Sequence, residues 1–208
     1  MRNKFILIFL LFGLISFPGV TYSNDFSVPL NASNAQWEHQ ETFSSHKMPN
    51  NLMDLFIKED EDRYYFRCTT YGAIKQDKDF YLSFWFDTDQ QVNTGLRGED
   101  CSPIGDDLFL AISISKTGDK KGVIALYDEE GEEFVKKEIL DTGKDFCVLK
   151  RSFQFSISKK YFPSPYGFDY LIMILYPGKD ANSDVTDTYP GCGEKLTYPP
   201  GSKAQPTH

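Results

Sequence analysis

Apolar side chains in this sequence recur at every second position in short runs, and turn-forming residues end each run before a helical period is established. In Asp106 to Ser115, Leu108, Leu110, Ile112 and Ile114 fall on one side of an extended chain. Phe153, Phe155 and Ile157 do the same within Cys147 to Ser158. Successive side chains of a strand point to opposite faces, so this spacing builds a half-buried sheet rather than the stripe of an amphipathic helix. Leu52 to Lys58, Tyr64 to Tyr71 and Phe80 to Asp87 read as further strands. The acidic run Glu59 to Asp62 reads as a solvated hairpin turn between two of them. Lys116 to Lys121 and Asp128 to Glu132 read as turns leading into strands Gly122 to Tyr127 and Glu133 to Leu140. Asp169 to Tyr176 is nearly all apolar, as expected of a central strand covered on both faces. Lys195 to Tyr198 closes the sheet, and Ser158 to Phe162 allows one helical turn before Pro163. About ten short strands with turns every eight to twelve residues predict an all-β fold, an antiparallel sandwich of the jelly-roll kind. We expect a single domain over residues 24–198, followed by a polar, flexible tail at 199–208.

The first segment has the pattern of a targeting signal. Arg2 and Lys4 precede an apolar run of 13 residues, Phe5 to Phe17, which is too short to span a bilayer comfortably. Pro18 and Gly19 break it, and Thr21 and Ser23 place small residues where a signal peptidase would cut after Ser23. The expectation is a signal peptide at 1–23 and a secreted or periplasmic chain with no later membrane span. Its removal would leave 20 bases against 30 acids, a net charge of −10. Such a balance opposes nucleic acid, which needs a basic face, and anionic membrane surfaces.

Export gives the four cysteines (Cys68, Cys101, Cys147 and Cys192) a redox context in which an even number suggests two disulfides. Three pairings are open. The Gly-rich settings of Cys101 and Cys192 favour joining these two, which leaves Cys68 and Cys147 in strand-like runs. No Cys-x-x-Cys pair and no neighbouring His support zinc.

The stretch richest in chemistry is Phe84-Trp-Phe-Asp-Thr-Asp-Gln-Gln-Val-Asn-Thr-Gly95, followed ten residues later by Gly105-Asp-Asp107. A strand runs into Asp87-x-Asp89, and a further acid, Asp107, opens the next strand. Calcium takes six to eight oxygens from carboxylates, amides and backbone carbonyls, and a loop held between strands offers such a set. The EF-hand pattern does not apply, because its Gly and terminal acid fall on Val92 and Gly98 and the context is strand–loop–strand. An acidic turn without metal, in which Asp and Asn bond their own backbone, is the alternative.

The string Phe-Asp-Thr-Asp-Gln-x-x-Asn-Thr-Gly with a following Gly-x-Asp resembles the family 9 carbohydrate-binding modules and related DOMON-like domains. Tyr64 to Arg67 before it, and Asp187 and Pro190 near the end, agree with that pattern, and the resemblance spans most of Leu52 to Tyr198. It implies an antiparallel sandwich with structural calcium at this loop and a glycan or polysaccharide bound elsewhere on aromatic faces. Carried over, Asp87, Asp89 and Asp107 would ligate through carboxylates and Gln91 through its backbone carbonyl. The insert Leu96 to Ile104 departs from the pattern.

Sugars stack on flat aromatic faces, which makes Trp37, Trp85 and Tyr81 candidate ligand platforms. Trp85 and Tyr81 share one face of a strand, opposite Phe84 and Phe86. No catalytic signature is present: no Gly-x-Ser-x-Gly elbow, His-Glu-x-x-His or phosphate loop. The function expected from the sequence is therefore a non-catalytic calcium-binding module that binds carbohydrate. Alternatives are a calcium-stapled structural or adhesive domain and, as the resemblance to DOMON-like domains also implies, a haem-binding electron carrier with Met48, Met53 or Met173 as an axial ligand.

Overall fold

A computed structural model describes residues 37–42, 52–74, 79–97, 104–131, 133–143, 145–176, 185–191 and 193–200. The expected signal peptide, Met48, Cys101, Cys192 and the tail from residue 201 lie outside the described residues. The strands, in chain order, are β1 (Glu38–Thr42), β2 (Leu52–Glu59), β3 (Arg63–Thr70), β4 (Phe80–Asp87), β5 (Leu96–Arg97), β6 (Gly105–Asp106) and β7 (Leu108–Ile114). They continue with β8 (Lys120–Tyr127), β9 (Phe134–Leu140), β10 (Phe146–Leu149), β11 (Ser152–Ser158), β12 (Phe168–Tyr176), β13 (Val185–Tyr189) and β14 (Leu196–Tyr198). They form a five-stranded sheet in the order β1-β2-β3-β11-β10 and a seven-stranded sheet in the order β13-β12-β4-β7-β8-β9, with β14 also on β12. All pairings within both sheets are antiparallel, as the alternating pattern required. β5 and β6 make a separate two-residue ribbon.

The two sheets meet through their phenylalanines. Phe66 of β3 meets Phe84 of β4 edge-on with ring centroids 5.7 Å apart, and Phe155 of β11 meets the same Phe84 edge-on at 4.8 Å. Phe80 of β4 stacks on Phe153 of β11 at 5.2 Å. Leu108, Leu110, Ile112 and Ile114 complete this core, on the single face that their spacing predicted. On the outer face of the seven-stranded sheet, Phe109, Ala111, Val123 and Tyr127 form a second cluster, with Trp85, Leu96 and Phe134 against it.

Three expectations change. The run Cys147 to Ser158 is two strands, because the chain reverses at Lys150–Arg151 and β10 pairs back on β11. β1 and β13 are strands that the sequence reading lacked; one carries Glu, His and Gln and the other Thr and Asp, with no apolar alternation to betray them. The third concerns the cysteines. Cys68 and Cys147 are free thiols. Cys68 sits opposite Phe153 with its side chain in the core. Cys147 pairs with Gln154, which pairs with Arg67, so it belongs to the other face of the same sheet. With β11 between them, their Cα atoms are about two strand spacings apart, near 10 Å, beyond the reach of a disulfide. Burial pushes both thiols above their ordinary range.

Two outcomes follow from this packing. Phe66→Ala should cost about 3–5 kcal/mol in urea unfolding, against less than about 0.5 kcal/mol for exposed Tyr166→Ala. Alkylation of the unreduced protein should label Cys68 and Cys147 after denaturation, with Cys68 protected in the native state.

Candidate metal centre

β4 delivers its last residue, Asp87, to the outer face of the sheet, because Phe84 and Phe86 on either side of Trp85 are committed to the core. The neighbouring strand β7 begins one residue after Asp107, whose N–H donates to the Phe86 carbonyl (2.9 Å). Adjacent strand ends thus set Asp87 and Asp107 side by side. The loop between them returns Asp89 to the same place. Thr88 donates its N–H (2.8 Å) and hydroxyl (3.0 Å) to Asp107 Oδ2, tying the start of the loop to its end. Gln91 N–H points at Asp87 Oδ1 (3.0 Å) and Asp89 Oδ1 (2.8 Å). The outcome is one carboxylate oxygen from each of Asp87, Asp89 and Asp107, all within 4.8 Å of one another.

Glycine is required at two points of this loop. Gly95 has φ of +67°, and a Cβ there would lie 2.5 Å from the Asp106 carbonyl oxygen and 2.8 Å from Asp107 Oδ1. A Cβ on Gly105 would lie 2.2 Å from the Thr94 carbonyl oxygen and 2.7 Å from that of Gln91. Gln90, at φ of +61°, occupies the left-handed region without being glycine, a conformation that costs on the order of 1 kcal/mol. The loop is also braced from outside: Gly95 N–H donates to the Glu129 carbonyl in the β8–β9 turn (2.9 Å), and Leu96 packs on the cluster that includes Trp85 and Phe109.

Electrostatically the centre is unbalanced. Asp87 is fully buried and its Oδ2 accepts no hydrogen bond. Desolvation, then the charges of Asp107, Asp89 and Asp169, push its carboxyl up to about 7, against the opposing N–H of Gly105. Asp107 is also raised, by burial and by Asp89, with the Thr88 bonds opposing. A buried carboxylate oxygen with no donor is costly unless a proton or a cation meets it. Both polar atoms of the Gln90 side-chain amide are likewise buried without partners.

The three carboxylates singled out in the sequence are therefore brought together. The Gln91 carbonyl is engaged differently: it accepts the Thr94 N–H (3.0 Å) and lies 2.8 Å from the Thr94 hydroxyl, so the loop's own turn uses it. Gln90 and Asp169 were missed. The signal for Asp169, a polar residue opening an apolar strand, is visible only once β12 is paired with β4.

The aromatic candidates are divided between the sheets. Trp37 is buried beside the five-stranded sheet with the Lys58 ammonium 4.8 Å from its ring centroid, so it offers no open platform there. Trp85 and Tyr81 are half-buried on the outer face of the seven-stranded sheet. Trp85 lies on Phe109 at 4.4 Å and donates its indole N–H to Ser83 Oγ. Met53 is in the five-stranded sheet and Met173 on the outer face of the other, so they do not share a cavity. His39 Nε2 meets both Thr42 Oγ1 (3.0 Å) and Asp54 Oδ1 (3.4 Å) through the same nitrogen, which is not the arrangement of a proton relay. Comparison with protein-family models, with curated proteins and with solved structures gives no match.

The raised carboxyl of Asp87 has a consequence in metal-free protein. Its folded value lies above its unfolded value of 3.8, so the native state holds the proton more tightly. The associated stability is complete below pH of about 4 and is lost as pH rises through about 7. In EDTA, the stability of the protein relative to Asp87→Asn should fall from pH of about 5 to about 8. A flat difference in the melting curves would remove the buried, unbalanced carboxylate from the account.

Proposed function

We propose that the chain is an exported, non-catalytic β-sandwich module that holds calcium in the Asp87–Asp89–Asp107 loop and binds carbohydrate on the outer face of its seven-stranded sheet. The observation that carries the metal reading is the buried, unpartnered Oδ2 of Asp87 inside a converging set of carboxylates. An all-oxygen donor set on a loop suits a hard divalent cation, and the flexible geometry suits calcium better than magnesium, which demands a near-ideal octahedron. Among the described residues, no histidine or thiol joins the donor set, which does not favour softer transition metals. In this reading, Asp87, Asp89 and Asp107 supply the carboxylates, and the Gln90 amide oxygen is the next donor to consider.

The carbohydrate part rests on Trp85 and Tyr81. They lie on the same face as Asp87, and both keep part of their surface in water. A cation that fixes the loop also fixes Leu96 against the cluster on which Trp85 lies. The second reading, a calcium-stapled structural domain, draws on the contact of Trp85 with Phe109 and on the burial of Trp37, both of which are packing roles.

Calcium binds the folded state, so it should stabilise by RT ln(1 + [L]/Kd), about 2.7 kcal/mol at a hundred times Kd. Millimolar calcium should raise the melting temperature, magnesium should raise it less, and Asp87→Asn/Asp107→Asn should abolish both effects. Metal-free protein whose melting curve ignores calcium would leave only an acidic turn. A glycan array separates the two readings: Trp85→Ala that abolishes glycan capture while the calcium response persists supports the module, and no capture by the intact protein supports the structural domain.

A further inference from the structure

Asp169, on β12, is the direct cross-strand partner of Asp87 on β4. Both are buried, at 1 % and 0 % exposure, and both belong to the outer face because Phe168 and Tyr170 are in the core. Like charges directly opposed on one face of a sheet repel, and here neither is screened by water. The fold treats the two carboxylates unequally. Asp169 Oδ2 is paired with the Lys195 ammonium at 2.5 Å, and its Oδ1 accepts the Thr197 hydroxyl at 2.5 Å. Asp87 instead leaves Oδ2 without a donor. Lys195 and Thr197 come from the short strand β14 and the residue before it, which reach the site by pairing on β12 beside Asp169. The order of charges is therefore Lys195, Asp169, Asp87 and then the open set completed by Asp89 and Asp107.

We propose that Lys195 is a positioning residue for the cation centre: by neutralising Asp169 it withholds a fourth carboxylate, and so sets the affinity of the site and the cation charge it prefers. The proposal rests on the reading of the Asp87–Asp89–Asp107 loop as a cation site. Calcium affinity in oxygen sites is tuned by the number of charged ligands and by rigidity, so one carboxylate held in reserve is a direct control on binding strength. Removing the ammonium releases Asp169 as an unpaired carboxylate beside Asp87 that can serve the cation, and a trivalent ion should gain more from that extra ligand than a divalent one. A simple repulsion between Lys195 and the bound cation would act in the same direction, but it would not depend on Asp169.

Calorimetric titration of the purified protein with calcium and with terbium tests this, using Lys195→Met, Lys195→Arg, Asp169→Asn and Lys195→Met/Asp169→Asn. The expected result is calcium affinity raised about tenfold in Lys195→Met, a larger rise for terbium, and wild-type behaviour in Lys195→Arg. In the Asp169→Asn background, Lys195→Met should change affinity by less than about twofold. Melting curves in EDTA establish which variants are folded. If Lys195→Met proves unfolded, the Lys195→Arg and Asp169→Asn titrations still decide the matter: Asp169→Asn, which leaves no carboxylate for Lys195 to withhold, should bind calcium no more tightly than wild type. Wild-type binding with unchanged or weakened affinity in Lys195→Met, or an equal gain with and without Asp169, overturns the role of Lys195. Failure of the wild-type protein to bind either ion overturns the cation reading itself, and this proposal with it.

Discussion

A carboxylate with no exposed surface, opposed by a second buried acid and converging with two more, cannot stay charged without a counter-charge. That is the situation of Asp87, and the geometry around it follows from the need to meet that charge. Neutral donors from the loop reach one oxygen only. The other accepts no hydrogen bond, and the carboxylates of Asp89 and Asp107 each bring an oxygen within 4.8 Å of one of Asp87's. A proton or a cation resolves the conflict, and the raised carboxyl of Asp87 expresses how strongly the site asks for one.

The sandwich supplies the rigid frame for that conflict. Phenylalanines from β3, β4 and β11 fix the distance and register of the two sheets, and with them the face on which every second residue of β4 emerges. Asp87 is outward because Phe84 and Phe86 are inward. Asp107 is beside it because β7 pairs antiparallel with β4. Asp169 is opposite because β12 pairs on the other edge. Short-range bonds in the loop (Thr88 to Asp107, Gln91 to Asp87 and Asp89, Thr94 to Asp89) bring in the third carboxylate. Its outer part leans on the β8–β9 turn through Gly95 and Leu96, which joins the charged centre to the aromatic cluster under Trp85.

Much of this was legible in the sequence where side-chain alternation was strong. β4 emerged at its observed bounds, and the core face of β7 was read residue by residue. The turn at Asp60–Asp62, within the acidic run Glu59 to Asp62, and the 3-10 turn at Lys159–Tyr161, within Ser158 to Phe162, also matched local signals. The carboxylate triad was legible because Asp87 ends β4, Asp107 immediately precedes β7 and Asp89 lies two residues into the loop between them. What failed was information held in pairing. β10 and β11 read as one run, since apolar residues continue on either side of a two-residue reversal. β1 and β13 draw their stability from neighbours rather than from their own composition. Cys68 and Cys147 sit in similar-looking runs, but the hairpin between β10 and β11 sends their thiols to opposite faces. Trp37 was a candidate ligand platform by residue type alone, yet it is buried against Lys58. Asp169 and Lys195 carry no local motif at all, and only the register of β12 between β4 and β14 brings them to the centre.

The claim on which the account turns is that Asp87, Asp89 and Asp107 hold one cation together. Equilibrium dialysis of metal-stripped protein against calcium, with the bound metal measured per chain, tests it most directly. One calcium per chain is expected in the intact protein and none in Asp87→Asn. Binding that persists at the same stoichiometry in Asp87→Asn, or no bound calcium in the intact folded protein, would contradict it.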